Sequence, residues 1–159
     1  MITIGIDPGL SGAVGVLLDG AFVAVEDMPI VIKGGSGVVK NEVDPAGLIT
    51  LLRRYVPADE AVCVALERVN AMPGQGVSSV FSLGDSFGSA RASIAGCRFE
   101  TVHIAPTQWK KHFKLTNDKE QSRSLAIRMF PTAPLNLKKH SDRAEALLMA
   151  RWLYETRYK

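Results

Sequence analysis

Four carboxylates at three separated places in the chain have the residue types and spacing to share one reaction. Asp7 closes the apolar run Ile4-Gly5-Ile6, Glu67 closes Val62-Cys63-Val64-Ala65-Leu66, and Asp142 and Glu145 stand three apart in Asp142-Arg143-Ala144-Glu145. Burial penalises an ionised carboxylate, so acids gathered at the ends of apolar segments need cations or a strong structural reason. Hard oxygen donors select Mg²⁺ or Mn²⁺ over zinc, which would call for cysteine or histidine at recognisable spacing. Two such ions roughly 4 Å apart activate water and stabilise both the attacking and the leaving oxygen of a phosphodiester. Hydrolysis of a nucleic-acid backbone is the chemistry this set would perform.

The elements expected to position these acids are read from local pattern. Met1–Asp7, Ala13–Leu18 and Phe22–Asp27 are apolar or alternating runs joined by a Pro-Gly-Leu-Ser-Gly turn and an Asp19-Gly20 hairpin turn, which predicts three antiparallel strands. The stretch Ile30–Asn41, with Gly34-Gly35-Ser36-Gly37 between Lys33 and Lys40, has no periodicity and predicts a mobile loop. Asp44-Pro45 reads as an N-cap and first turn, followed by an apolar stripe at Leu48, Leu51, Leu52 and Tyr55. After that crossover helix, residues 61–66 read as a buried strand pairing parallel with the first. Gln75–Ile94 predicts a helix rich in small residues, packed closely against a neighbour or its own copy. A short strand at Phe99–His103, a helix opening at Pro106, and helices over Asp118–Phe130 and Ser141–Tyr154 complete an α/β chain with a mixed sheet.

On the last helix, residues at i and i+3 project from one face, so Asp142 and Glu145 can aim at a single locus. The competing structural reading makes Asp142 a first-turn acid favoured by the macrodipole and Glu145 a capping-box partner. Asp7 and Glu67 at neighbouring strand ends favour the metal site.

Composition bounds the setting. The 159 residues are 47% hydrophobic and 22% charged, as in an ordinary globular domain. No run reaches the roughly 18 apolar residues of a spanning helix. The opening Met1-Ile2-Thr3-Ile4 reads as strand rather than as a secretory leader. A cytoplasmic protein is expected, with Cys63 and Cys97 as free thiols. The net charge of +3 conceals a strong asymmetry. Residues 1–105 carry seven Lys/Arg against eleven Asp/Glu, whereas residues 106–139 carry eight Lys/Arg against Asp118 and Glu120. A basic segment beside a carboxylate cluster suits a polyanionic substrate; the plainer alternative is a solvated basic face.

These motifs in chain order resemble the RuvC family of Holliday-junction resolvases, within the RNase H-like superfamily. The resemblance rests on Gly5-Ile6-Asp7-Pro8-Gly9 with Ser11-Gly12-Ala13, Leu66-Glu67-Arg68-Val69, Ser82-Leu83-Gly84 with Ser89-Ala90-Arg91, Ala105-Pro106 with Lys110 or Lys111, Asp118-Lys119-Glu120-Gln121, and Asp142-Arg143-Ala144-Glu145-Ala146-Leu147. It covers nearly the whole chain and implies one RNase H-like nuclease domain over residues 1–159: a mixed five-stranded sheet flanked by helices. It further implies a homodimer that nicks opposing strands of a four-way DNA junction with two Mg²⁺ per site, Mn²⁺ substituting. Asp7 would bridge both ions, Glu67, Asp142 and Glu145 would complete the set, and Lys110, Lys111 and Lys119 would hold phosphates near the cut; Lys114 is a further candidate DNA contact, and Arg68 reads either as a DNA-backbone contact or as a neutralising neighbour of Glu67.

Three departures mark this sequence. Glu145 stands where the family usually has aspartate, Met72 is the one plausible wedge after the second acid, and the Ile30–Asn41 segment is not the usual pattern. Such departures resemble phage-type members, which accept flaps, forks and other branched DNA. His140 reads either as an aid to the reacting water or phosphate or as an ordinary helix N-terminal residue. His103 and His112 read as structural or phosphate-adjacent, and Trp109 as a packing residue or a stacking platform for DNA. Two rivals are an RNase H-fold branched-DNA-binding module without catalysis and an actin-like phosphate-binding domain, whose first loop Asp-Pro-Gly-Leu-Ser-Gly resembles but whose second lobe this length does not supply.

Overall fold

The computed structural model describes residues 1–35 and 38–159, and the side chains of these except 33–35 and 38–40. Strands β1 (Ile2–Asp7), β2 (Ala13–Leu18) and β3 (Ala21–Asp27) form an antiparallel meander. Helix α1 (Pro45–Tyr55) crosses over to β6 (Val62–Glu67), which pairs parallel with β1, and α2 (Val77–Cys97) crosses to β7 (Glu100–Ile104), parallel with β6. The sheet order is β3-β2-β1-β6-β7, the mixed five-stranded arrangement expected. Helices α3 (Pro106–His112), α4 (Lys119–Met129) and α5 (Ser141–Arg157) follow. Among the described residues no helix is long and apolar enough to cross a membrane.

Strand alternation sorts the side chains by size onto two faces. Ile2, Ile4, Ile6, Val14, Val16, Val64 and Leu66 face a core shared with Leu48, Leu51 and Leu52 of α1 and Ala90 and Ile94 of α2. Ala13, Leu17, Cys63 and Ala65 face a second core built around α5. There Gly5 and Gly15, directly opposite in the β1–β2 register, leave a flat spot into which α5 settles. A Cβ on Gly5 would lie 2.0 Å from the Ala146 carbonyl oxygen, and one on Gly15 would lie 2.7 Å from the Leu147 nitrogen. Helix backbone therefore rests on strand backbone at this point.

Seven consecutive residues of α5, Ala144–Ala150, are buried, because α3 and α4 cover its outer side. This stretch is apolar apart from Glu145, which is the composition that burial on all sides favours, while the charged residues of α5 lie towards its two ends. Each fully buried leucine there, such as Leu147 and Leu148, contributes about 2 kcal/mol of burial. The same packing carries the first two turns of α5, with Asp142 and Glu145, to the end of β1 that bears Asp7.

The expected loop over Ile30–Asn41 is corrected by the structure. Strands β4 (Ile30–Gly35) and β5 (Val38–Val43) pair antiparallel as a separate two-stranded hairpin, with Ile32 opposite Asn41 and Lys33 opposite Lys40. The β-branched Ile30, Val31 and Ile32 and Val38, Val39 and Val43 favour extended backbone despite the intervening glycines. Hydrogen bonds from Met28 N–H to the Gly12 oxygen and from Asp44 N–H to the Pro29 oxygen close its base. Ser36 and Gly37 lie outside the described residues, as do the Lys33 and Lys40 side chains. Asp44 and Pro45 do open α1, but the Asp44 side chain makes no capping hydrogen bond.

Candidate metal centre and nucleic-acid interface

Asp7 and Glu67 end neighbouring parallel strands, since Ile6 and Leu66 are register partners. Across from them, α5 contributes Asp142 and Glu145 from consecutive turns of one face. Asp7, Asp142 and Glu145 each offer a carboxylate oxygen within 4.8 Å of the others. Glu67 lies beside this trio rather than in it, with its Oε1 accepting a 3.0 Å hydrogen bond from the Trp109 indole Nε1. The structure thus brings three of the four acids together directly and holds the fourth at the edge on an indole.

The acids are heavily tied down. Gly9 N–H donates to Asp7 Oδ1 at 3.2 Å, a contact made by the turn leaving β1. Lys119 Nζ forms a short ion pair with Asp142 Oδ1. Lys110 Nζ lies 3.3 Å from Glu145 Oε1, which also accepts from Ser122 Oγ at 3.3 Å. Glu145 is therefore not a capping-box partner, and it is 5% exposed, too buried for a solvated acid. With all four acids ionised, two ammonium groups leave the cluster at a formal charge of −2.

Burial raises the Asp7 carboxyl from an ordinary 3.8 to about 6; the Gly9 hydrogen bond opposes this and the Asp142 charge adds to it. Burial likewise lifts Glu67 from 4.5 to about 7, against the Trp109 hydrogen bond and with the charges of Asp7 and Glu145. Burial alone would lower the Lys119 ammonium, but its hydrogen bond to Asp142 and the charges of Asp142, Glu145 and Asp7 carry it upward. Carboxylates that resist ionisation next to one another create a site that a divalent cation relieves. Their all-oxygen donor set fits a hard cation such as Mg²⁺. Asp7, Asp142 and Glu145, with Glu67 at the edge, would hold it.

The predicted DNA contacts divide into two groups. Lys110 and Lys119 neutralise the acids. Lys111 and Lys114 are exposed and line an open depression with Lys110, Thr107, Thr116 and Asn117. Arg68 is exposed where the chain leaves β6, its backbone N–H donating to the Ile104 oxygen. A second open depression, lined by Lys119, Arg123 and Lys138 with Asp118, Glu120 and Ser141, extends the basic surface along α4. Asp118 caps α4 by accepting from Glu120 N–H at 2.9 Å, which sets Lys119 at the first helical position.

His140 is buried, and its Nδ1 accepts from Leu137 N–H at 3.3 Å, which ties the ring to the turn that leads into α5; burial lowers its pKa. His103 packs edge-on against Phe87, and His112 pairs with Glu155 at 2.9 Å. Trp109 is fully buried and so offers no stacking platform. Met72 is 63% exposed. The Trp109 contact to Glu67 and the Ser122 contact to Glu145 had no sequence signal, since both join residues more than 20 apart across separate elements.

The five-stranded order with three helices on the acid-bearing side defines a RuvC-like fold of RNase H-like architecture. No family model matches the sequence, and no curated protein does. Among solved structures, Thermus thermophilus RuvC is similar at a TM-score of 0.58 and 16% identity, covering 98% of this chain and 96% of that one. T. thermophilus RuvC in complex with Holliday junction substrate is similar at 0.58 and 17%, covering 99% and 97%. The likeness is one of fold, and it spans nearly the full length of both chains.

Proposed function

We propose that this chain is a metal-dependent endodeoxyribonuclease that resolves four-way DNA junctions by paired symmetric nicks, and that it also cuts flaps and forks. The observation that carries the reading is the convergence of Asp7, Asp142 and Glu145 within 4.8 Å, flanked by Glu67 and by lysines. The similarity to a RuvC fold seen with Holliday junction substrate supports the choice of DNA over other polyanions. Asp7, Glu67, Asp142 and Glu145 are the proposed catalytic and metal-holding residues. Two Mg²⁺ ions, or Mn²⁺ in their place, would activate water and neutralise charge developing on the phosphodiester.

The chain's own groups orient and screen the reaction. The Gly9 N–H and the Trp109 indole hold one oxygen each of Asp7 and Glu67, which limits rotation of both carboxylates. Lys110 and Lys119 stand at the rim, where their ammonium groups would hold phosphate oxygens next to the cut. Lys111, Lys114 and Arg68 would add backbone contacts that carry no sequence information. A homodimer belongs to this reading, because paired nicks need two sites; Val77 and Phe81, 87% and 78% exposed on α2, support an apolar contact between copies. The protein would act as one nuclease domain in the cytoplasm.

The test incubates purified protein with end-labelled four-way junction, 5′-flap and linear duplex DNA in Mg²⁺, Mn²⁺ or EDTA, alongside Asp7→Asn. Symmetric, metal-dependent nicks in the junction that the variant lacks are expected, with cutting of the flap and none of the duplex. Binding of the junction without nicking in either metal would overturn the enzymatic reading and leave a junction-binding module.

A further inference from the structure

Trp109 is a large, fully buried side chain whose ring lies in the core around α5, yet its one polar atom is spent on an acid of the candidate centre. The indole Nε1–H is a donor only, and it reaches Glu67 Oε1 at 3.0 Å. The next residue, Lys110, places its Nζ 3.3 Å from Glu145 Oε1 and 5.1 Å from the centre of the Trp109 ring. One turn of α3 therefore touches two of the four acids through adjacent residues. Its start is defined by Pro106 and by the Gln108 side chain accepting from Ala105 N–H at 2.7 Å, and Phe113 N–H closes its end on the Trp109 oxygen. The donor is thus presented from a rigid element.

We infer that Trp109 is the positioning residue for Glu67: its indole N–H holds Oε1 so that Oε2 is turned toward a divalent cation shared with Asp7, Asp142 and Glu145. This rests on the metal-centre reading of the four acids. A neutral donor suits the task. A cationic partner at this position would compete with the incoming ion for the carboxylate's charge, whereas an indole fixes orientation and leaves the charge available. Groups that orient a metal-ligating side chain through a hydrogen bond commonly contribute 10- to 100-fold in metal affinity. Trp109 reaches the acids through its hydrogen bond to Glu67 and through its ring beside the Lys110 ammonium; a phenylalanine keeps a ring beside Lys110, so its substitution reads the hydrogen bond.

Two measurements on the full-length chain test this. The first is calorimetric titration of Mn²⁺ into the wild type and Trp109→Phe, which keeps an aromatic ring but lacks the N–H. Affinity about 10- to 100-fold weaker in the folded variant is expected; equal affinity would overturn the inference, because a merely structural tryptophan would change melting temperature and leave Mn²⁺ binding by the folded protein as it was. The second keeps the site intact and removes the other tryptophan with Trp152→Phe, so that emission reports Trp109 alone. Mg²⁺, which is not paramagnetic, should shift that emission saturably, with the midpoint of its binding isotherm. Emission that does not move while calorimetry shows binding would overturn the role of Trp109 and leave the metal centre standing. A wild type that binds no Mn²⁺ would instead overturn the metal centre, and this inference with it.

Discussion

Replacing Asp7 by asparagine should make the metal-free protein more stable while abolishing its chemistry. Asparagine keeps the shape of the side chain and an oxygen for the Gly9 N–H, but it removes a charge that the fold resists. A carboxyl held at about 6 rather than 3.8 corresponds to about 3 kcal/mol of destabilisation once it is ionised. Partial exposure and solvent screening reduce the net gain on substitution to about 1–2 kcal/mol. For a chain of this length that is a rise in melting temperature of about 2–8 °C. The sign follows from the raised folded-state pKa. The contribution of protonated Asp7 is fully present below about 3.8 and is lost as pH rises through about 6. The variant has nothing to lose over that window, so its advantage opens between about pH 4 and 6 and is flat above about 7. Thermal denaturation in EDTA at pH 4.5, 6 and 8 measures it. With saturating Mg²⁺ the order should reverse, because the cation stabilises only the protein that binds it. A variant less stable than wild type at pH 8 in EDTA, or equally advantaged at pH 4.5 and 8, would refute the account of Asp7 as a strained, cation-seeking carboxylate.

Cation binding should release about one proton at pH 6 and far less at pH 8, since the raised Asp7 and Glu67 carboxyls must ionise; titration in buffers of different ionisation enthalpy counts it. Gly5→Ala should destabilise by at least about 3 kcal/mol and disable cation binding, because the new Cβ meets α5 backbone that cannot yield; a melting temperature near wild type would contradict the packing described. Lys111→Ala and Lys114→Ala should each flatten the dependence of log K for junction binding on log salt by about 0.9, without changing metal affinity. Asp27→Asn breaks the two-pronged pair with Arg143, at 2.6 and 2.8 Å, and should cost about 0.5 kcal/mol at pH 7 because the carboxylate is largely exposed. That cost should shrink as pH falls through the lowered pKa of Asp27, which denaturant titration at pH 7 and 3 would show.

Element types were legible where local pattern and burial agree. The strands ending at Asp7 and Glu67 are apolar runs closed by an acid, and the parallel pairing followed from an intervening amphipathic helix. Asp142 and Glu145 shared a face by helical period alone, and the basic bias of residues 106–139 was visible in the charge count. The β4–β5 hairpin was not legible, because glycines masked β-branched residues that lack an alternating pattern. Only tertiary structure decided that Glu67 stands beside the trio on Trp109, that Lys110 and Lys119 answer Glu145 and Asp142, and that Gly5 and Gly15 admit α5 against the sheet. The sequence by itself determined which residues can carry charge, hold a cation or extend a strand, because those are properties of side chains and short-range periodicity. Which of them meet is set by close packing between elements far apart in the chain, and the orientation of a carboxylate depends on a donor that no local pattern announces.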